Sequence, residues 1–195
     1  MKTITMRDKP ALVLIALQKG FDDVSYWGTQ RNNPEAEDNA GRLLNIWRKK
    51  GLPLFHVQHT PADPDSPLLE GKEGHHFKDE VIPRKGETVI RKDIHTAIGG
   101  AALREKLEDA GVKKVIVIGM STDRCVSSMV RMAAHYGYDA FVVYDATATF
   151  NKPNPRVSEQ MYSAELIHDT AIASLKGEFA SVVMTDEVIN ALCKN

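Results

Sequence analysis

The 195-residue sequence lacks both an excess of charge and a long hydrophobic run. Its net charge is -1, so no electrostatic footprint for nucleic acid or for an anionic membrane surface is visible. The apolar run at residues 11–17 (ALVLIAL) is too short to cross a bilayer, and the polar stretch before it does not have the layout of a signal peptide. We therefore expect a cytoplasmic protein without nucleic-acid or membrane partners.

Cysteine is also scarce. The two cysteines, Cys125 and Cys193, are too few for a disulfide framework, and we expect both to be reduced thiols. Neither a G-x-G-x-x-G motif nor a phosphate-binding loop occurs, so we expect no organic cofactor. The length, with 43% hydrophobic and 26% charged residues, fits one domain over residues 1–195.

The sequence does contain an alternation of short β-branched runs with longer amphipathic stretches. Runs that are apolar on both faces are typical of parallel strands covered by helices, and the alternation indicates βαβ units with right-handed crossovers. We predict an α/β, three-layer, doubly wound Rossmann-like fold with a mainly parallel six-stranded sheet flanked by helices. The predicted strands are residues 11–17, 52–58, 88–91, 113–119, 140–144 and 180–184, and the predicted helices are residues 34–50, 101–110, 123–136, 158–175 and 186–193.

Ligands of such folds bind beyond the carboxyl ends of the strands, and two candidate residues lie there. Cys125 follows the fourth predicted strand, at the start of a helix whose free N–H groups stabilise a thiolate and can hold an oxyanion. Lys92 ends the third strand, at the same edge of the sheet, where an ammonium group would stabilise the thiolate. The alternatives are a buried structural cysteine and a solvated lysine, which are the commoner readings for either residue alone.

Three segments, in this order, resemble the isochorismatase-like cysteine hydrolases, which include nicotinamidases, N-carbamoylsarcosine amidases and biuret hydrolases. They are ALVLIALQKGF, GETVIRKDIHTA and GMSTDRCVSSMVRMAAHYGYDAFVVYDA. The resemblance implies that Cys125 attacks a carbonyl and forms a covalent acyl-enzyme that water later hydrolyses, with Lys92 supporting the nucleophile. It also implies a cis peptide between Met120 and Ser121, and an oxyanion hole formed by the Ser121 and Cys125 N–H groups.

Position 16 departs from the family pattern. The family has a catalytic aspartate here that acts as general acid and base, whereas Ala16 cannot transfer a proton. Either an aspartate was replaced to trap a complex, or this is a natural member that lost the acid; the otherwise family-like segments favour replacement. Asp22 and Asp23 lie several residues further on, in a loop that positions a side chain poorly for catalysis. We therefore predict a chain that is inactive or strongly impaired.

The irregular segments at residues 21–33 and 60–87 follow strand ends, so both are candidate pocket walls. Phe21, Trp27 and His95 are the candidate substrate-binding residues, because aromatic walls suit a small planar amide. For Trp27, an anchor against a neighbouring subunit is an equal alternative.

We expect no metal. Nicotinamidases of the family bind one through an Asp-x-His pair and a second histidine. Here His56 and His59 lie three residues apart on a strand and so face opposite sides, and the acidic ligand is absent.

Together these residues predict a hydrolase that cleaves a C–N bond of a small-molecule substrate, such as an amide, ureide or carbamoyl compound. One alternative is a catalytically silent family member that acts as a small-molecule binding or scaffold protein. Another is a flavodoxin-like nucleotide binder, against which the missing phosphate-cradling glycines argue. The resemblance also implies a homo-oligomer, either a dimer or a tetramer.

Overall fold

Six strands form one sheet in which every neighbouring pair is parallel. The structure is a computed structural model that describes residues 3–93, 101–157 and 159–194. The strands of the sheet are β1 (Ala11–Ile15), β2 (Leu54–His59), β3 (Thr88–Lys92), β4 (Lys114–Met120), β5 (Asp139–Ala148) and β8 (Ala180–Val183). A separate antiparallel ribbon pairs β6 (Lys152–Pro153) with β7 (Met161–Tyr162). The helices are α1 (Val24–Trp27), α2 (Ala36–Lys50), α3 (Ala101–Asp109), α4 (Ser127–His135), α5 (Ala164–Leu175) and α6 (Thr185–Cys193).

The strand order is β3-β2-β1-β4-β5-β8, so the order reverses between β1 and β4. At such a switch point the connections that leave neighbouring strands diverge, and a crevice opens beyond their carboxyl ends. Ile15, the last residue of β1, is paired with Gly119 near the end of β4. The residues that follow these two strands therefore face the same crevice. The predicted α/β fold with a six-stranded parallel sheet is confirmed.

The core lies between the sheet and its helices, and β1 is buried along its whole length. Helix α2 packs Leu43, Leu44 and Trp47 into this core, and the Trp47 indole donates to the Pro10 carbonyl at 2.9 Å. The helix ends at Gly51, which adopts the left-handed conformation that favours glycine at this cap. Among the described residues, no helix is long and apolar enough to cross a membrane.

Three elements differ from their predicted bounds by more than one or two residues at an end. The helix predicted at residues 158–175 begins only at Ala164, because Met161 and Tyr162 pair in the ribbon and Ser163 then caps the helix. The helix predicted at residues 123–136 begins as a π-helical turn, Thr122–Val126, which continues into α4. Strand β5 runs on to Ala148, because after a register shift between Val117 and Gly119 on β4 the residues Thr147 and Ala148 pair with the end of β4.

Gly119 marks the closest approach between β1 and β4. Its φ is +123°, and a Cβ atom added there would lie 2.0 Å from the Ile15 carbonyl oxygen. That atom belongs to the backbone of a buried central strand, so it cannot move aside. Any side chain at position 119 would therefore push β4 away from β1 at the point where the crevice opens.

We expect Gly119→Ala to lower the free energy of unfolding by about 3–5 kcal/mol, since overpacking adds to the cost of an unfavourable φ. Urea denaturation measures this loss. Gly137→Ala is the matched control, because Gly137 has a φ of +81° but nothing within 4 Å of the added Cβ. It should cost only about 1–2 kcal/mol. Equal losses for the two variants would show that the strands do not need their close approach.

Candidate active site

Cys125 lies in the π-helical turn that connects β4 to α4. The turn is closed by the Ser121 carbonyl, which accepts from the Arg124 N–H at 3.1 Å and from the Val126 N–H at 3.2 Å. The Met120–Ser121 peptide bond that leads into it is cis. The Cys125 side chain is buried, with 5% of its surface exposed. Neither Cys125 nor Cys193 forms a disulfide within the described part of the chain, and Cys193 is exposed on α6.

Lys92 reaches Cys125 from the other side of the crevice. The Lys92 Nζ donates to the Cys125 Sγ at 3.3 Å, and Lys92 is itself only 7% exposed. In the sheet, β2 and β1 separate β3 from β4. The two side chains therefore meet above the carboxyl ends of β2 and β1. The structure thus brings together an ammonium group and a thiol from strands that are not neighbours.

Ala16 is the first residue after β1, and it lies at the end of one of the two strands that the Lys92–Cys125 pair spans. It is fully buried, and its N–H donates to the Val57 carbonyl at 2.8 Å. Its φ is +49°, in the left-handed region. Asparagine and aspartate adopt this conformation several-fold more often than other non-glycine residues. The backbone at position 16 therefore suits an aspartate better than an alanine.

Gln18 links the strand ends that carry these residues, a role that the sequence did not indicate. Its side-chain amide is fully buried and donates to the His59 and His75 carbonyls, both at 3.0 Å, while its oxygen accepts from the His59 N–H at 2.8 Å. The Lys92 carbonyl in turn accepts from the Thr60 N–H at 2.7 Å. Hydrogen bonds thus join the chain after β1 to the end of β2, and the chain after β2 to Lys92 at the end of β3. The only sequence signal was a glutamine directly after an apolar strand.

Three aromatic rings stack beside the loop that follows β1. The Phe21 and Trp27 rings lie 4.6 Å apart, and Phe150, just beyond β5, lies 6.2 Å from the first and 6.3 Å from the second. Trp27 also donates its indole N–H to the Gly20 carbonyl at 2.8 Å. The structure therefore brings the predicted Phe21 and Trp27 together and adds Phe150, which sequence analysis missed. His95 lies outside the described residues.

Asparagine side chains fasten this loop to the chain around β5. Asn33 donates to the Tyr144 and Thr147 carbonyls, both at 2.8 Å, and the Thr149 N–H donates to Asn32 at 2.7 Å. Asn151 accepts from the Thr29 and Gln30 N–H groups at 2.7 Å and 2.9 Å. The wall formed by residues 28–33 is therefore fixed to the sheet by backbone-directed hydrogen bonds.

A family model, the Isochorismatase domain, matches residues 10–187 of this chain. The chain belongs to the isochorismatase family. The uncharacterized isochorismatase family protein YrdC of Bacillus subtilis is 36% identical over 189 residues, which are 97% of this chain and 99% of that protein. A solved structure from Chromobacterium violaceum, also of the isochorismatase family, has a TM-score of 0.91 at 38% identity and covers 98% of this chain and 97% of that one. Nicotinamidase 3 of Arabidopsis thaliana is 27% identical, over 95% of this chain and 89% of that protein. The resemblance that the sequence motifs indicated is confirmed.

In this isochorismatase-family chain, the aspartates that follow β1 are engaged elsewhere. Asp22 pairs with Lys78, and Asp23 accepts from the Ser25 hydroxyl at 2.6 Å and the Tyr26 N–H at 3.2 Å. Lys78 also lies 3.1 Å from Glu37. Burial acts to raise the pKa of Glu37, but its pairing with Arg31 and Lys78 outweighs burial and leaves this pKa below its ordinary value. Asp22 and Asp23 thus stabilise the loop, which argues against either acting as a catalytic acid.

The histidines at and after β2 make separate contacts rather than sharing a site. His56 Nε2 lies 2.9 Å from Glu87, and burial lowers the pKa of His56. His59 Nδ1 lies 3.2 Å from the Lys92 carbonyl, and His75 Nε2 lies 3.0 Å from the Thr60 hydroxyl. Within residues 3–93, 101–157 and 159–194, no three His, Cys, Asp or Glu side chains group as metal ligands.

A cavity of about 640 Å³ lies away from these residues, along the edge strand β8. It is lined by apolar side chains that include Ile4, Phe141 and Val182, and neither Cys125 nor Lys92 lines it. Apolar volume alone therefore does not locate the chemistry of this protein. The buried thiol beside an ammonium group is the better indicator, because buried pairs of ionisable groups are common at reactive sites.

We expect Lys92→Met to slow alkylation of Cys125 by iodoacetamide about tenfold at neutral pH, because the thiolate loses its adjacent cation. The measurement uses a Cys193→Ser background, since the exposed Cys193 would otherwise react too. Arg91→Met is the matched control: Arg91 is the neighbouring residue on β3, and it is exposed and paired with Glu70. An equal rate in the Lys92→Met and Arg91→Met variants would contradict the assigned pairing.

Proposed function

We propose that this chain is a cysteine hydrolase scaffold that cleaves a C–N bond of a small amide, ureide or carbamoyl compound. Cys125 is the nucleophile, Lys92 supports it, and position 16 is the place of the general acid and base. The observation that carries this proposal is the 3.3 Å contact between the Lys92 Nζ and the Cys125 Sγ, both buried above the ends of β1 and β2. Family membership supports a hydrolase, and the name of the Arabidopsis relative, a nicotinamidase, supports an amide substrate.

The proposed reaction begins when the Cys125 sulfur attacks the substrate carbonyl carbon. The oxygen becomes negatively charged, and the N–H groups of Ser121 and Cys125 stabilise it; losing one such donor typically slows a reaction about 100- to 1,000-fold. The C–N bond then breaks, and the departing nitrogen takes a proton. Water finally attacks the thioester, which releases a carboxylic acid and restores the thiol.

Two of these steps need a proton carrier that Ala16 cannot provide. The thiol proton must leave before attack, and the departing nitrogen must gain a proton before it becomes a good leaving group. In this proposal Lys92 stabilises the thiolate and does not replace the acid. We therefore infer that the chain with Ala16 is inactive or strongly impaired.

Position 16 retains the setting for a carboxylate. Its φ of +49° favours aspartate over alanine, and Gln18, Lys92 and Cys125 keep a connected arrangement around it. An isolated replacement of the acid would leave such a site. The alternative, a silent binding or scaffold protein, gives no reason to keep a buried ammonium group against a thiol, since burying a charge is costly.

The substrate site belongs, in this proposal, to a cytoplasmic homo-oligomer, a dimer or a tetramer. The free thiol of Cys193 is exposed, which suits a reducing compartment. Phe21, Trp27 and Phe150 supply an aromatic wall, which suits a planar amide-type group.

We expect Ala16→Asp to raise ammonia release by about 100- to 10,000-fold on at least one compound in a panel of small amides, ureides and carbamoyl compounds, because it restores general acid–base catalysis. Ala16→Asn is the matched control, since it has the same shape and tolerates the same backbone but transfers no proton. It should remain at the level of the parent chain.

Two results would overturn the proposal. One is a parent chain that already turns over substrate as fast as the Ala16→Asp variant, which would remove the role of position 16. The other is a Cys125→Ala change that leaves the activity of the Ala16→Asp variant intact, which would remove the nucleophile. An Ala16→Asp variant that binds compounds from the panel but hydrolyses none would instead support the binding protein.

A further inference from the structure

A buried histidine on α5 contacts the turn that carries Cys125. His168 is fully buried, and its Nδ1 lies 2.9 Å from the hydroxyl oxygen of Thr122, which is also fully buried. Thr122 is the first residue of the π-helical turn, three residues before Cys125. The contact joins residues 46 positions apart in sequence, so it ties the turn to a different layer of the fold.

His168 uses only part of its hydrogen-bonding capacity. Its Nε2 is buried without a hydrogen-bond partner within residues 3–93, 101–157 and 159–194. The ring packs edge-on against Tyr144, with centroids 4.5 Å apart, and the Tyr144 hydroxyl donates to Asp169 at 2.6 Å. A buried polar atom without a partner is unfavourable, and a hydrophobic residue would fill the same space without that cost. Packing alone therefore does not explain a histidine here.

We propose that His168 is a positioning residue for Cys125. By holding the Thr122 hydroxyl, it orients the turn so that the Cys125 sulfur meets the Lys92 ammonium group and the turn's N–H groups face a bound carbonyl. This role rests on the proposed function, because it concerns the placement of that nucleophile.

The next residue of the turn is held from a different direction. The Asp123 carboxylate accepts from the Thr149 hydroxyl beyond β5 and from the Lys152 ammonium group on β6. The turn is therefore anchored at two consecutive residues, one toward α5 and one toward β5 and the ribbon. Two such anchors restrict rotation of the turn, which a single contact would leave free.

The charges around His168 favour its neutral form. Burial lowers the pKa of His168, while Asp169 and Glu165, on the same helix, act in the opposite direction and do not overcome it. The Tyr144 ring faces His168 from β5, and the Thr122 hydroxyl faces it from the turn. On α4, the Arg131 guanidinium donates to Ser174, further along α5. The pKa of His168 is therefore lower in the folded chain than in the unfolded chain. As pH falls through 6.5, the unfolded chain is the first to bind a proton at this histidine. The stabilisation by neutral His168 is present above that pH and is lost below it.

The test measures alkylation of Cys125 by iodoacetamide in the Cys193→Ser background, and kcat and KM in the same background with Ala16→Asp. We expect Thr122→Val and His168→Leu each to slow alkylation and to lower kcat about tenfold or more, with little change in KM. Thr122→Ser and His168→Asn keep a hydrogen-bonding group at the contact. They should recover most of the alkylation rate and most of kcat. The double variant Thr122→Val/His168→Leu should be no slower than either single variant, because the pair acts through one contact.

His56→Leu is the matched control. His56 is also a fully buried histidine, and one of its nitrogens has no partner among the described residues, but it pairs with Glu87. It should lower thermal stability without slowing alkylation. If His168→Leu behaves like His56→Leu, or if the Thr122 and His168 changes are additive, the positioning role is wrong.

The alkylation rate also separates this inference from the proposed function. If the Ala16→Asp variants hydrolyse nothing but the Thr122 and His168 variants still slow alkylation, the proposed function fails and His168 still positions the thiol. If His168→Leu does not fold, Thr122→Val and His168→Asn decide the question. The acid limb of the kcat–pH profile should change in His168→Asn, which has no titrating ring, and an unchanged profile would argue against the role.

Discussion

The site depends on a buried ammonium group held against a buried sulfur atom. Placing a lysine in the interior is unfavourable unless its charge meets a partner, and here the Lys92 Nζ donates to the Cys125 Sγ at 3.3 Å. The two residues come from β3 and β4, which are not adjacent, so their contact requires the strand order that reverses between β1 and β4. Gly119 lets those two strands approach closely enough for the crevice to form at this point.

Much of this arrangement could be predicted because it depends on local patterns. The apolar runs of β1 and β4 indicated buried parallel strands, and the positions of Lys92 and Cys125 at strand ends indicated a shared edge. What could not be predicted depends on partners far away in the sequence. The role of Gln18 depends on backbone groups of β2, and the role of His168 depends on the Thr122 hydroxyl. Neither partner is close in sequence, so the local pattern around each residue does not reveal its role.

The same reasoning explains why the boundaries of some elements were wrong. The apolar run of β5 ends at Tyr144, where Asp145 interrupts it, yet the strand continues because the register shift in β4 provides partners for Thr147 and Ala148. The π-helical turn at Cys125 has no sequence signature, since a helix of either kind would show the same residues. These corrections all concern pairing across the sheet or between layers, which a linear pattern does not contain.

The residue at position 16 is held by contacts separate from those that hold Cys125. Ala16 is fixed by its backbone, through the Val57 carbonyl, and the neighbouring strand ends are joined by Gln18 rather than by the residue at position 16. Cys125 is fixed separately, through the contacts of Thr122 and Asp123. No described support of Lys92 or Cys125 passes through the side chain at position 16. The arrangement of these two residues is therefore separable from the proton transfer that the proposed reaction assigns to position 16.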